Sequence, residues 1–290
     1  MAINNTEGNI IRYQDKLWNH YQHVLLPVYP PHVRVDPDPA VRRALMRLVK
    51  PYFIRWTTAW DCRENTGFWF IIKDRKEDIA DYTSKIRNSI SRGIRNFHAR
   101  IIPASLLKTQ GYPLYLKAFQ RYQTAQAPLT EAQFRQQLEE LFTEGRWEFW
   151  GLFENQSGSL VGYSMNWIYD HSCEYKTIKL DPACLKESGS YLLIHEMNKY
   201  YLNGLGFRYV NDGSRSLMHE SNIQEFLEKK FLFRKAYCRL NIHYNPWVKR
   251  AVNLLYPLRN LFYPRHDGIS ARIGTLLKHE EIVRDMGNGI

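Results

Sequence analysis

Two short stretches of the chain carry residue types that could do chemistry. The first, Lys-Glu-Ser-Gly-Ser-Tyr at 186–191, places Gly189 between an apolar strand pattern and an amphipathic helix pattern. Amides at a helix start lack intrahelical partners and attract anions, and glycine lets a ligand approach the backbone. Lys186, Ser188, Gly189 and Ser190 could therefore hold a phosphate; they could equally form a turn in which Ser188 or Ser190 caps the helix. The second stretch, Asn-Asp-Gly-Ser-Arg-Ser-Leu-Met-His-Glu-Ser at 211–221, is polar and turns at Gly213. It follows a strand pattern, and ligands in open sheets bind at such carboxyl ends. Asp212, His219 and Glu220 could take up a proton there, as could Glu174 on the preceding predicted strand. Arg215 could grip a phosphate or carboxylate with two parallel hydrogen bonds, or pair with a neighbouring acid. Carboxylates at such positions also serve as surface or capping groups.

Other chemistries find less support. His171, Cys173 and Cys184 lack the paired spacing of a zinc site, and no metal is expected. No GxSxG, Walker or GxGxxG motif is present. The four cysteines form no CxxC pair, no apolar run reaches 18 residues, and the N-terminus has no signal-peptide pattern. The chain reads as cytoplasmic with reduced thiols. Its 290 residues and 44% hydrophobic content can build a substantial core. A formal charge of +11 favours an anionic partner: nucleic acid, a phosphorylated ligand or an acidic membrane surface.

The elements that must position these residues follow from periodicity. Residues 10–25 show apolar groups at helical spacing, 27–40 are too proline-rich for helix, and 40–50 read as a second helix. Strands are expected at 52–60 and 67–74, then a basic helix at 77–97 with Ile79, Tyr82, Ile86, Ile90 and Phe97 on one face. Between 83 and 100 lie five basic residues and no acid, a solvated face or a track for a polyanion. A strand at 98–103 precedes a helix broken at Pro113 and a helix capped by Thr130. Three antiparallel strands at 148–155, 159–170 and 173–181 lead to a helix whose core face is Leu193, Met197, Tyr200 and Tyr201. A strand at 207–212, a helix at 222–231, a strand at 235–244 and two helical tail segments complete the order. The tail at 245–265 mixes basic residues with Trp247, Leu254, Leu255, Leu258 and Phe262; it could pack on its own domain or lie on an anionic membrane.

Strand, two helices, three antiparallel strands, helix, strand, helix, strand resembles the GNAT acyl-CoA N-acyltransferase superfamily from about 98 to 244. The resemblance is carried by 204–212 followed by Ser-Asn-Ile-Gln-Glu-Phe-Leu at 221–227. Asn222 stands at the expected asparagine, and Phe-Leu-Phe at 231–233 replaces Leu-Gly-Phe. The stretch from Lys186 to Tyr191 matches the turn that holds the coenzyme A pyrophosphate in that family, with Lys186 for Gln or Arg and Tyr191 for a small residue. Ser-Lys-Ile-Arg-Asn-Ser-Ile-Ser-Arg-Gly-Ile-Arg at 84–95 is similar to a feature of Fem-type aminoacyl transferases, which carry two GNAT-like halves and act on cell-wall precursors.

The resemblance implies an α+β fold, a GNAT-like mixed, mainly antiparallel sheet flanked by helices. It implies a reduced Fem-like lobe at 1–97, an acyltransferase domain at 98–245 and a helical tail at 246–290. The implied activity is acyl transfer from acetyl-CoA or another acyl-CoA to an amine, such as an amino sugar or a cell-envelope precursor. Glu174, Asp212 and Tyr191 are the candidate catalytic residues; the tyrosine usual in the helix after the fifth strand is matched by Leu227, for which Tyr191 or Tyr237 could substitute. Lys186, Ser188, Gly189, Ser190 and Asn222 are candidates for coenzyme A, and Arg215, His219 and Glu220 for substrate. The alternatives are aminoacyl transfer from charged tRNA, and a non-catalytic module that binds nucleic acid or a membrane.

Overall fold

The computed structural model describes residues 4–5, 9–120, 127–143, 146–217, 222–263 and 268–287. Along the chain come β1 (Asn4–Asn5), β2 (Ile10–Tyr13), β3 (Lys16–Tyr21), β4 (Val24–Pro27), α1 (Pro39–Val49), β5 (Phe53–Cys62) and β6 (Trp69–Lys73). They are followed by α2 (Ser84–Asn96), β7 (Phe97–Ile102), α3 (Ala104–Phe119), α4 (Glu131–Thr143), β8 (Trp147–Glu154), β9 (Leu160–Tyr169) and β10 (Ser172–Leu180). The remainder is α5 (Pro182–Lys186), α6 (Gly189–Asn198), β11 (Tyr209–Ser214), α7 (Asn222–Phe231), β12 (Arg234–Tyr244), α8 (Pro246–Leu255) and α9 (Gly268–Gly287). The chain folds as two units: Met1–Phe70 with Ser214–Ser221 and Lys235–Ile290, and Ile71–Gly213 with Asn222–Arg234. Both are α+β, each a mixed, mainly antiparallel sheet with helices.

In the first unit the strand order is β1-β2-β3-β4-β5-β12, antiparallel except for the β4–β5 pair. The helix expected at 10–25 is instead three strands. Gln14 and Asp15, then Gln22 and His23, all have positive φ. Each pair forms the two-residue loop of a tight hairpin whose backbone twist suits the flanking strands. Ile11, Trp18 and Leu25 are buried in one cluster with Leu45, Ile54 and Trp56. Their spacing of seven fits two helical turns and also one strand plus a tight turn, so periodicity alone misassigns them. Asp38 caps α1 by accepting from the Val41 amide at 2.9 Å, with Pro39 at the first helical position.

In the second unit the order is β11-β10-β9-β8-β7, with only β10 and β11 parallel. The three-strand meander β8–β10 falls where the sequence places it. Helix α3 is not broken at Pro113. Burial of Leu107 before the proline and of Leu114, Tyr115 and Ala118 after it holds both halves in one helix, despite the missing amide. Thr130 and Gln133 form a reciprocal capping box at the start of α4. The expected helix at 77–97 divides: Ile79–Asp81 is a single 3₁₀ turn, α2 begins at Ser84, and Phe97 already belongs to β7.

Helices α2 and α6 cross at Gly93, where a Cβ would stand 2.9 Å from both the Ser188 carbonyl oxygen and Leu192 Cβ. Only glycine permits that approach. Replacing Gly93 by valine is expected to cost about 1–3 kcal/mol through overpacking, seen as a lower midpoint in urea unfolding with an unchanged slope.

Candidate functional site

The parallel strands β10 and β11 stay in register over three pairs, Ser172↔Tyr209, Cys173↔Val210 and Glu174↔Asn211. Beyond them β10 continues beside β9 through a bulge at Tyr175/Thr177. The end of β11 is turned by the side chain of Asn211, which donates to the Cys173 carbonyl and accepts from the Gly213 amide, both at 3.0 Å. Gly213 has φ +80°, and a Cβ there would lie 3.4 Å from Glu174 Oε1. This glycine is needed for its backbone conformation.

The turn sets Asp212 beside Glu174. Burial, and secondarily the negative charge of Glu174, push the Asp212 carboxyl up to about 8. Glu174 itself pairs with Lys176 Nζ at 2.7 Å. Two carboxylates with different surroundings thus meet at the fork of the sheet, one paired with a cation and one titrating near neutrality. A carboxyl of that kind suits acid–base work at physiological pH.

Behind the fork lies a buried polar network that sequence reasoning missed. Glu77 is 5% exposed, yet its carboxylate receives four side chains. Tyr82 OH lies 2.6 and 2.7 Å from its two oxygens, His195 Nδ1 donates at 2.8 Å and Asn198 Nδ2 at 3.3 Å, and Lys73 Nζ forms an ion pair with it. Asn203 closes the set with both an accepted and a donated bond to the Glu77 backbone, each at 2.8 Å. Burial opposes ionisation of Glu77, but the hydrogen bond from His195 and the charge of Lys73 together hold its carboxyl below the usual range. Burial lowers the Lys73 ammonium as well; it keeps bonds to Tyr82 OH at 2.8 Å and the Phe231 carbonyl at 3.2 Å. Asn198 also accepts from Tyr175 OH at 2.8 Å, and Tyr175 lies within the electrostatic reach of Asp212. The legible signal was Lys73, a lysine closing the buried run Ile71-Ile72, with an acid four residues on.

The other expected site residues are placed as follows. Tyr191 packs its ring on Phe226 and Phe231 at 5.1 and 5.9 Å, and Leu227 is fully buried. Ser188, with φ +67°, and Gly189 are buried; a Cβ on Gly189 would stand 2.9 Å from Leu152 Cδ2 and 3.1 Å from the Cys184 carbonyl, so close packing alone requires this glycine. Lys186 is exposed and Ser190 half-buried, so of the four residues expected to form the cradle these two are open to an anion. The end of α2 reaches the same place, Asn96 donating to Glu187 at 3.1 Å. Asn222 begins α7. Arg215 belongs to the first unit, where it donates to the Gly67 carbonyl at 2.6 Å. His219 and Glu220, and the side chain of Asn222, lie outside the described residues.

No family model and no curated protein matches the chain. Among solved structures it is similar to FemX, with 9% identity over 87% of this chain and 89% of that one at a TM-score of 0.56. It is also similar to the C-terminal domain of a lysylphosphatidylglycerol synthetase from Agrobacterium fabrum, with 9% identity over 87% and 88% at 0.50. A GCN5-related N-acetyltransferase from Sphaerobacter thermophilus aligns at 12% identity over 81% and 79% with a TM-score of 0.42. At such identities the likeness is one of fold. The fold is Fem-like, and the likeness to FemX spans 87% of the chain.

Two outcomes test the site. Replacing Lys73 by methionine strands the Glu77 charge in the core and is expected to cost about 3–5 kcal/mol, whereas the double change Lys73→Met, Glu77→Leu costs less. For Asp212 the folded carboxyl holds its proton more tightly than the unfolded one, so its contribution to stability falls as pH rises from about 4 to about 8. Asp212→Asn removes this loss: its melting temperature exceeds that of the wild type by a margin that grows over this range and is constant above it.

Proposed function

We propose that the chain is an acyl-group transferase that passes an aminoacyl group from a tRNA carrier to an amine, with Asp212 as the base. The observation that carries this reading is the buried placement of Asp212 near Glu174 at the β10–β11 fork, where burial pushes its carboxyl up to about 8. An incoming ammonium must lose a proton before its nitrogen can attack an acyl carbon, and a base poised near neutrality takes it most effectively. The ionised Asp212 accepts that proton, the nitrogen forms the amide bond, and the carrier oxygen departs. The acid that protonates the departing group is unassigned.

The choice of donor rests on two supports. The whole-chain likeness to FemX gives the fold in which the Fem-type resemblance of residues 84–95 makes sense. Helix α2 also turns Lys85, Arg92 and Arg95 to solvent with Asn88 on the same side, a cationic face that suits a polyphosphate backbone. The second reading, an acyl-CoA donor such as acetyl-CoA, is favoured by the open Lys186 and Ser190 at the start of α6. For the acceptor, an amine on an amino sugar or a cell-envelope precursor is the class proposed. The neighbour named for lysylphosphatidylglycerol synthesis supports an envelope molecule in that role.

Filter binding with bulk tRNA and calorimetry with acetyl-CoA decide the donor. The reading predicts tRNA binding that weakens steeply with salt, a salt slope reduced by about one for each of Lys85, Arg92 and Arg95 replaced by alanine, and no heat from acetyl-CoA. Saturable coenzyme A binding without tRNA binding hands the donor to the second reading; neither binding defeats both. With the donor in hand, the transfer rate should rise with pH to a plateau above about 8. Asp212→Asn should lose about 100-fold or more and flatten that profile.

A further inference from the structure

The C-terminal part of the first unit has two apolar faces, of which one is packed. Val248 and Val252 of α8 point inward with Leu277 of α9, joined by Leu255 and Tyr256. A neighbouring side carries Trp247, Leu254, Leu258 and Leu261, which are 56%, 76%, 52% and 66% exposed. Their spacing of seven, four and three residues sets them on one stripe along α8 and the 3₁₀ segment Tyr256–Leu261. Single apolar residues on a surface are ordinary; four in one row are an interaction surface. Ile269, 77% exposed, opens the next helix.

The surroundings of the stripe indicate its partner. Tyr52 is 40% exposed and meets Trp247 edge-on at 5.3 Å, while His23 stacks on Tyr52 at 4.6 Å. Aromatic side chains with one polar edge favour the boundary between water and hydrocarbon. Exposed Lys50 and Arg250 lie close in sequence to this aromatic pair. Residues 246–263 contain Lys249, Arg250 and Arg259 and no acid; in α9 the cations Arg272, Lys278 and Arg284 are balanced by Glu280, Glu281 and Asp285. The helices together therefore keep a net positive charge; Lys249 and Arg259 pair with Glu280 and Glu281, and Arg250 is the exposed cation of α8. Helix α1 adds Arg42, Arg43 and Arg47, again without an acid.

We propose that this stripe docks on an anionic lipid bilayer, with α8 and the 3₁₀ segment lying in the headgroup plane. Trp247 and the three leucines enter the hydrocarbon boundary, and Arg250 and Lys50 meet lipid phosphates. No helix among the described residues is long and apolar enough to cross a membrane. A second copy of the chain is the poorer occupant, because a two-fold contact sets the same cations against themselves. The proposal stands independently of the transferase reading.

The test is co-sedimentation of the purified full chain with equimolar phosphatidylglycerol–phosphatidylcholine vesicles and with phosphatidylcholine vesicles alone. A variant carrying Leu254→Ser, Leu258→Ser and Leu261→Ser is run beside it; all three positions face solvent, and its melting curve should match the wild type. The proposal predicts binding to anionic vesicles that falls with added salt, and partitioning at least about tenfold weaker in the variant. Absence of binding to anionic vesicles, or equal binding by the variant, overturns it. So does a dimer that the three substitutions dissociate without any vesicle binding, which would make the stripe a subunit interface.

Discussion

The second unit is organised around one carboxylate that water does not solvate. Glu77 would be prohibitively costly to bury as an isolated anion. It is tolerated because Lys73 supplies the opposite charge and Tyr82, His195 and Asn198 supply directed hydrogen bonds. Each donor comes from a different place in the chain: the end of β6, the turn before α2, and successive turns of α6. Meeting one carboxylate fixes these elements against one another far more narrowly than apolar contact would. Apolar packing around Leu193, Met197 and Tyr201 then fills the space that this geometry leaves.

The consequence at the site runs through α6. Asn198 divides its amide between Glu77 and the hydroxyl of Tyr175, and Tyr175 stands on β10 immediately after Glu174. The strand bulge, the Asn211 side chain and Gly213 then bring Asp212 next to Glu174 in a place where burial keeps the proton on Asp212 up to about pH 8. The π-helical turn Lys199–Gly204 at the end of α6 follows directly from the network residues. Irregular turns of that kind recur at functional sites, and this one delivers Asn203 to the Glu77 backbone.

The sequence showed most of the second unit, because its strands and helices are long and their patterns unambiguous. The meander β8–β10 and helix α6 lie where periodicity puts them, and the two carboxylates read as candidate bases from separate strands stand together. What was not legible has identifiable causes. The hairpins of residues 10–27 imitate a helix because Ile11, Trp18 and Leu25 recur every seven residues, and their turns use Gln, Asp and His at positive φ in place of glycine. Pro113 signals a break that packing on either side overrides. Glu77 lies in a charged stretch that reads as solvent-facing, and only its partners, up to 126 residues away, give it a buried role. Gly189, which looked like room for a phosphate, is explained by Leu152 and Cys184 pressing on it.

Direct titration of Asp212 tests the account most sharply. Carboxyl ¹³C resonances of the wild-type protein, with Asp212 assigned by its loss in Asp212→Asn, should show that group inflecting near pH 8. The inflection should move down in Glu174→Gln as the neighbouring charge disappears. An Asp212 that titrates in the ordinary range near pH 4, indifferent to Glu174, would contradict the geometry assigned to the fork and the role of base built upon it.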